Sequence, residues 1–86
     1  MKANHQIVSK LLQTAKGQIE GILKMVEEDR YCIDVSTQIL AAEAVLRKAN
    51  QTVLRAHLDS CVLDTLSEEG QKKINEIIVL MTKLNH

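Results

Sequence analysis

Proline is absent from this chain of 86 residues, Phe and Trp are missing, Tyr31 is the single aromatic, and glycine occurs only at 17, 21 and 70. Little therefore interrupts a helix and nothing favours a sheet, so the expected fold class is all-α. No apolar run approaches the roughly 20 residues that span a bilayer, and the start shows no basic stretch followed by an apolar run and a cleavage site. The chain is thus expected to be cytoplasmic, with no membrane partner. Cysteine is scarce, and the two present, Cys32 and Cys61, suit thiol chemistry in a reducing compartment better than a structural disulfide. Net charge is zero, which argues against a strong non-specific attraction to polyanions such as DNA. A glycine-rich phosphate loop, a nucleophile elbow and a plausible carboxylate pair are also missing, and with them the usual signatures of an enzyme.

What is present is helical periodicity in a single small domain spanning residues 1–86. Ile7, Leu11, Leu12, Ala15, Ile19, Ile22, Leu23 and Val26 recur at steps of three and four and predict a first helix over about 4–28. Gly17 and Gly21, one turn apart, open a smooth patch on it for close approach of another helix. The polar run 27–30 predicts a turn, with Asp29 available to cap the next helix. A second helix is expected over about 32–66, unbroken by Gly or Pro, and a third over about 70–85, after a break at 67–70 that Ser67 can cap. A core this thin points to oligomerisation. The first 57 residues hold eight Lys or Arg against six acids, and the rest three against five, so a nucleic-acid face belongs to the first two thirds.

His57 and Cys61 lie four residues apart on the second helix, where two side chains share one face and can grip one ion. Alone, such a pair is more often coincidence. Cys32 adds a third donor, but an unbroken helix holds it roughly 37 Å from His57 along the axis. One chain cannot gather all three. Two antiparallel copies of the helix related by a two-fold axis near Ala44 and Val45 can, with Ala41, Ala42, Ala44 and Ala49 allowing close packing there. Two thiolates and one imidazole suit trigonal Cu(I), or Zn(II) with a fourth ligand, while nickel or cobalt needs further nitrogen or oxygen donors. The plainer reading makes both cysteines small buried hydrophobes and His57 a surface residue.

Three blocks carry a resemblance over nearly the whole chain. They are Gly17-Gln18-Ile19-Glu20-Gly21-Ile22, then Met25 through Val35 with Thr37-Gln38-Ile39, and His57-Leu58-Asp59-Ser60-Cys61-Val62. In order and spacing the chain resembles the copper-sensitive operon repressor (CsoR) family, related to nickel/cobalt, formaldehyde and persulfide sensors. The resemblance implies a three-helix subunit, an antiparallel dimer assembled as a dimer of dimers, and operator DNA bound when metal-free and released by Cu(I). It also implies Cys32, His57 and Cys61 as the metal ligands. A Tyr and a Glu surround the histidine in such sensors; Tyr31 matches the first, and Glu76 stands one residue before the aligned position, Ile77.

Helix 1 departs from the family pattern, with Leu11 and Thr14 where arginines are usual. Lys10, Lys16, Gln18, Arg47, Lys48 and Arg55 remain as candidates for operator contacts. The competing functional readings are a thiol-based sensor of formaldehyde or reactive sulfur, and a metal-binding relative with weakened or lost DNA binding.

Overall fold

The computed structural model describes residues 1–62 and 68–84. Among these the chain forms α1 (His5–Glu27), α2 (Cys32–Val62) and α3 (Glu68–Leu84), and no strand. None of these helices is long and apolar enough to cross a membrane.

Asn4 starts α1, its side-chain oxygen accepting from the backbone N–H groups of Gln6 at 2.9 Å and Ile7 at 3.2 Å, as an N-cap does for donors with no partner inside the helix. The other end closes on two backbone bonds, Arg30 N–H to Met25 O at 3.0 Å and Asp29 N–H to Val26 O at 3.1 Å. This pattern needs a left-handed residue just past the helix, and Asp29 supplies it with φ 53°. Asp29 therefore ends α1 and does not cap α2. The carbonyl of Tyr31 accepts the first α2 bond, from Val35 N–H at 3.1 Å. The short connection folds α2 back along α1.

At the third helix the sequence expectation also shifts. Glu68 and Glu69 stand in its first turn, where carboxylates favour the positive end of the helix dipole. Gly70 is buried within that turn instead of forming a break. The expected cap at Ser67 and the expected tail of the second helix to Leu66 fall outside the described residues.

In α1 the residues withdrawn from solvent are Val8, Leu11, Ala15, Gln18, Ile22 and Met25, a single stripe at steps of three and four. Across from it, Ala42 and Ala49 are buried on α2, so these alanines serve packing inside the subunit. Ala3 ahead of α1, Leu54 on α2 and Ile77 on α3 are buried as well. α1 packs on α2 and α2 on α3, whereas α1 and α3 do not meet. The molecule measures 55 × 27 × 12 Å, and 12 Å is the thickness of one helix with its side chains. The three helices thus lie side by side in one layer. Each face of α2 left open by α1 and α3 is bare, with Ile33, Ile39, Leu40 and Leu46 exposed.

Candidate metal centre and nucleic-acid face

Cys32 is the first residue of α2, an exposed free thiol. His57 lies 25 positions further along the same helix and is half-buried. At ~1.5 Å rise per residue the two are about 37 Å apart, far beyond any shared ion. Accordingly, no group of three or more His, Cys, Asp or Glu able to hold a metal forms among the described residues of one chain. Direction tells a different story from distance. At ~100° per residue, positions 57 and 61 fall about 20° to either side of the azimuth of Cys32. The three residues therefore share one strip of α2. The surroundings of the Cys61 thiol lie outside the described residues.

Tyr31 immediately precedes this strip and is 66% exposed, at the opposite end of α2 from His57 of the same chain. Glu76 is placed differently. It lines one cleft with His57, Glu68, Glu69, Lys72 and Lys73, between the end of α2 and the start of α3. Ile77, which an ungapped alignment sets at the family's glutamate position, is 2% exposed. The side chain of Ile77 is committed to the core, while Glu76 shares the cleft with His57. The additional residues of the cleft escaped the sequence reading, although the spacing of Glu69 and Lys73 carried a signal: they form an i,i+4 ion pair at 3.9 Å. With so much of both side chains in solvent, that pair contributes at most about 0.5 kcal/mol.

Of the candidate DNA contacts, Lys10, Lys16, Arg47, Lys48 and Arg55 are exposed. They do not form one patch. Lys48 and Arg55 rim a groove between α2 and α3 floored by Leu54, Leu58 and Met81, and on the helix they lie about 140–160° from the Cys32 strip. Arg47 lies only about 60° from it. Lys16 borders a shallow depression of α1 with His5, Ser9 and Leu12. Gln18 differs from the surface role expected of it, since it belongs to the stripe packed on α2 and its Oε1 is buried without a hydrogen-bond partner. At the two departures from the family pattern, Leu11 is half-buried and the Thr14 hydroxyl donates to the Lys10 carbonyl at 3.0 Å. Gly17 and Gly21 face open space, with nothing within 4 Å of a Cβ added at either. Within the subunit, the close approach they permit is unused.

Comparison with known proteins bears on nearly every residue of this arrangement. The family model described as metal-sensitive transcriptional repressor matches residues 4–83. A copper-sensing transcriptional repressor, CsoR, of Mycobacterium ulcerans is 41% identical over 68 residues, which cover 78% of this chain and 58% of that protein. The copper-sensing repressor RicR of Mycobacterium tuberculosis is 45% identical over 62 residues, covering 72% of this chain and 65% of its own length. CsoR of Bacillus subtilis is 36% identical over 83 residues, covering 95% and 81%. The chain thus spans under three fifths of the M. ulcerans relative. Among solved structures, the copper-sensing repressor CsoR with Cu(I) from Geobacillus thermodenitrificans superposes with a TM-score of 0.78 at 33% identity, over 94% of this chain and 85% of that one.

Proposed function

The chain belongs to the metal-sensitive transcriptional repressor family, and on that premise we propose that it is a cytoplasmic Cu(I)-sensing repressor that binds operator DNA when metal-free and lets go when copper binds. The observation that carries the copper site is the unbroken α2, which sets Cys32 on one strip with His57 and Cys61 yet about 37 Å from His57. Such a strip forms a site when two subunits pair antiparallel, Cys32 of one beside His57 and Cys61 of the other.

The shape of the subunit supports pairing. A compact chain of 9.6 kDa exposes about 5,100 Å² and has a radius of gyration near 12 Å, whereas this one exposes 6770 Å² with a radius of 16.8 Å. The excess of about 1,700 Å² per chain reflects an extended shape with surface that pairing can cover, a standard contact taking roughly 800 Å² per partner. A dimer of dimers covers more of it than a single pair does.

Cu(I) is a soft ion that prefers thiolate and imidazole donors in low coordination number. Cys32 and Cys61 must each give up the thiol proton, and His57 must be neutral, leaving one ring nitrogen free to donate. Glu76 is the carboxylate for that N–H, and because it stands on α3, orienting the imidazole also restrains α3 against α2. Tyr31 reaches the histidine only from the partner subunit. Lys10, Lys16, Lys48 and Arg55 contact operator phosphates, and movement of the helices that carry them links the two sites.

Titration of the reduced protein with Cu(I) under a competing chelator tests this reading. One ion per chain is expected, lost in Cys32→Ala, His57→Ala and Cys61→Ala; a stoichiometry well below one, or retention in those variants, contradicts it. The exposed Cys32 thiol favours a second reading, covalent sensing of formaldehyde or reactive sulfur, for which an adduct or intersubunit crosslink seen by mass spectrometry is the mark.

A further inference from the structure

On the strip of α2 that holds Cys32, His57 and Cys61 stand two opposite charges that the metal site does not use. Glu43 lies about 20° from the azimuth of Cys32, and Arg47 about 60°, on the same flank. Both are exposed. Although they are four residues apart in the favourable order, Glu before Arg, they form no ion pair within the chain; the ion pair found among the described residues is Lys73 with Glu69. Lys48 and Arg55, by contrast, point to the other side of α2 into the α2/α3 groove.

The shared site sets the register of the two α2 helices. If Cys32 faces both His57 and Cys61 of the partner subunit, the two-fold axis crosses α2 midway between 32 and 57, at 44.5, and midway between 32 and 61, at 46.5. Positions 43 and 47 are themselves symmetric about 45, inside that interval. In an antiparallel pair, residues on one flank of the strip meet residues on the same flank of the partner. We propose that Glu43 pairs with the partner's Arg47, and Arg47 with the partner's Glu43, forming a four-charge cluster at the two-fold axis that sets the register and partner choice of the dimer. This inference rests on the shared-site reading above and takes Arg47 out of the candidate operator face.

The physical reason for such a cluster lies in the rest of the strip. Ile39, Leu40 and Leu46 are exposed apolar residues around the axis, and apolar contact alone tolerates slippage by a turn. A slip that keeps those side chains buried would set Glu43 near the partner's Glu43, or Arg47 near the partner's Arg47, so like charges oppose the wrong register. The same rule works against other helical hairpins that lack the pair.

Charge exchange tests the proposal independently of copper and DNA. In Glu43→Arg the two facing positions are both basic, and in Arg47→Glu both acidic. Each single variant should keep its helix content by circular dichroism while its homodimer dissociation constant rises about tenfold or more. An equimolar mixture of the two, read by native mass spectrometry, should give heterodimers well above the statistical half, a preference that shrinks as salt is added. The double variant E43R/R47E should dimerise like the wild type. Singles that dimerise like the wild type and mix at random would overturn the cluster, as would Arg47→Glu weakening DNA binding with the dimer intact. A wild-type chain that stays monomeric at micromolar concentration would instead overturn the shared site on which the cluster depends.

Discussion

Near His57, burial separates two neighbouring residues, Glu76 and Ile77. A helix turns by about 100° per residue, so only one of the two can face the histidine while the other enters the core, and Ile77 is the one enclosed. Their substitutions should separate cleanly. Ile77→Ala should cost about 3 kcal/mol of stability in chemical denaturation, whereas Glu76→Gln should change stability by less than about 0.5 kcal/mol. Glu76→Gln should nevertheless weaken the copper-induced loss of DNA affinity about tenfold, measured by fluorescence anisotropy with and without Cu(I). The same variant made at Glu69, already paired with Lys73, should leave that coupling within about twofold. The spacing of His57 and Cys61 on one helix face was legible in the sequence, and the copper titration tests whether they are ligands. The cleft was not legible, because the face that α3 turns to α2 depends on the connection between them.

At the scale of elements, three helices are evident from apolar periodicity, and the departures from it have local causes. Asp29 is a natural candidate to cap α2 because Asp is common at helix starts, yet the chain uses its tolerance of the left-handed region to end α1. Glycine is the better residue there, so Asp29→Gly should raise stability by about 0.5–1 kcal/mol and Asp29→Val should lower it. The opposite sign of argument applies at Gly17 and Gly21, which sit in the helix interior with open space around them. Alanine at either should stabilise the isolated subunit by about 0.5–1 kcal/mol, a rise of roughly 2–8 °C in thermal midpoint for a domain of this size. If the glycines serve the close approach of a helix of another subunit, the same substitutions should instead weaken subunit association, read as a rise in the dissociation constant of the assembly. α3 begins two residues earlier than expected because Glu68 and Glu69 suit a helix N-terminus and the neighbouring glycine does not prevent it.

For the whole molecule the governing fact is a layer one helix thick. α2 carries apolar residues around most of its circumference, and a helix of that kind is stable when covered on all sides. One subunit covers only the two edges, so the thermal midpoint of the metal-free protein should rise with protein concentration over the micromolar range. Operator affinity should fall with salt, and Lys16→Ala should reduce the slope of that dependence by about one, the share of a single phosphate. A short chain with a thin core raised the expectation of a partner, and the concentration dependence of the thermal midpoint tests it. Charge balance pointed to the first two thirds for a nucleic-acid face but to no single surface, since the candidate basic residues are divided between α1 and two faces of α2.

The claim at the centre of this account is that each copper site is built from two subunits, and complementation between differently tagged chains tests it most directly. One chain carries Cys32→Ala and the other His57→Ala with Cys61→Ala, so neither homodimer holds a complete set of ligands. In the purified heterodimer a shared site predicts one restored Cu(I) per dimer, because Cys32 of the second chain faces His57 and Cys61 of the first. No tight copper in that heterodimer, with a wild-type dimer loading fully beside it, would contradict the shared site.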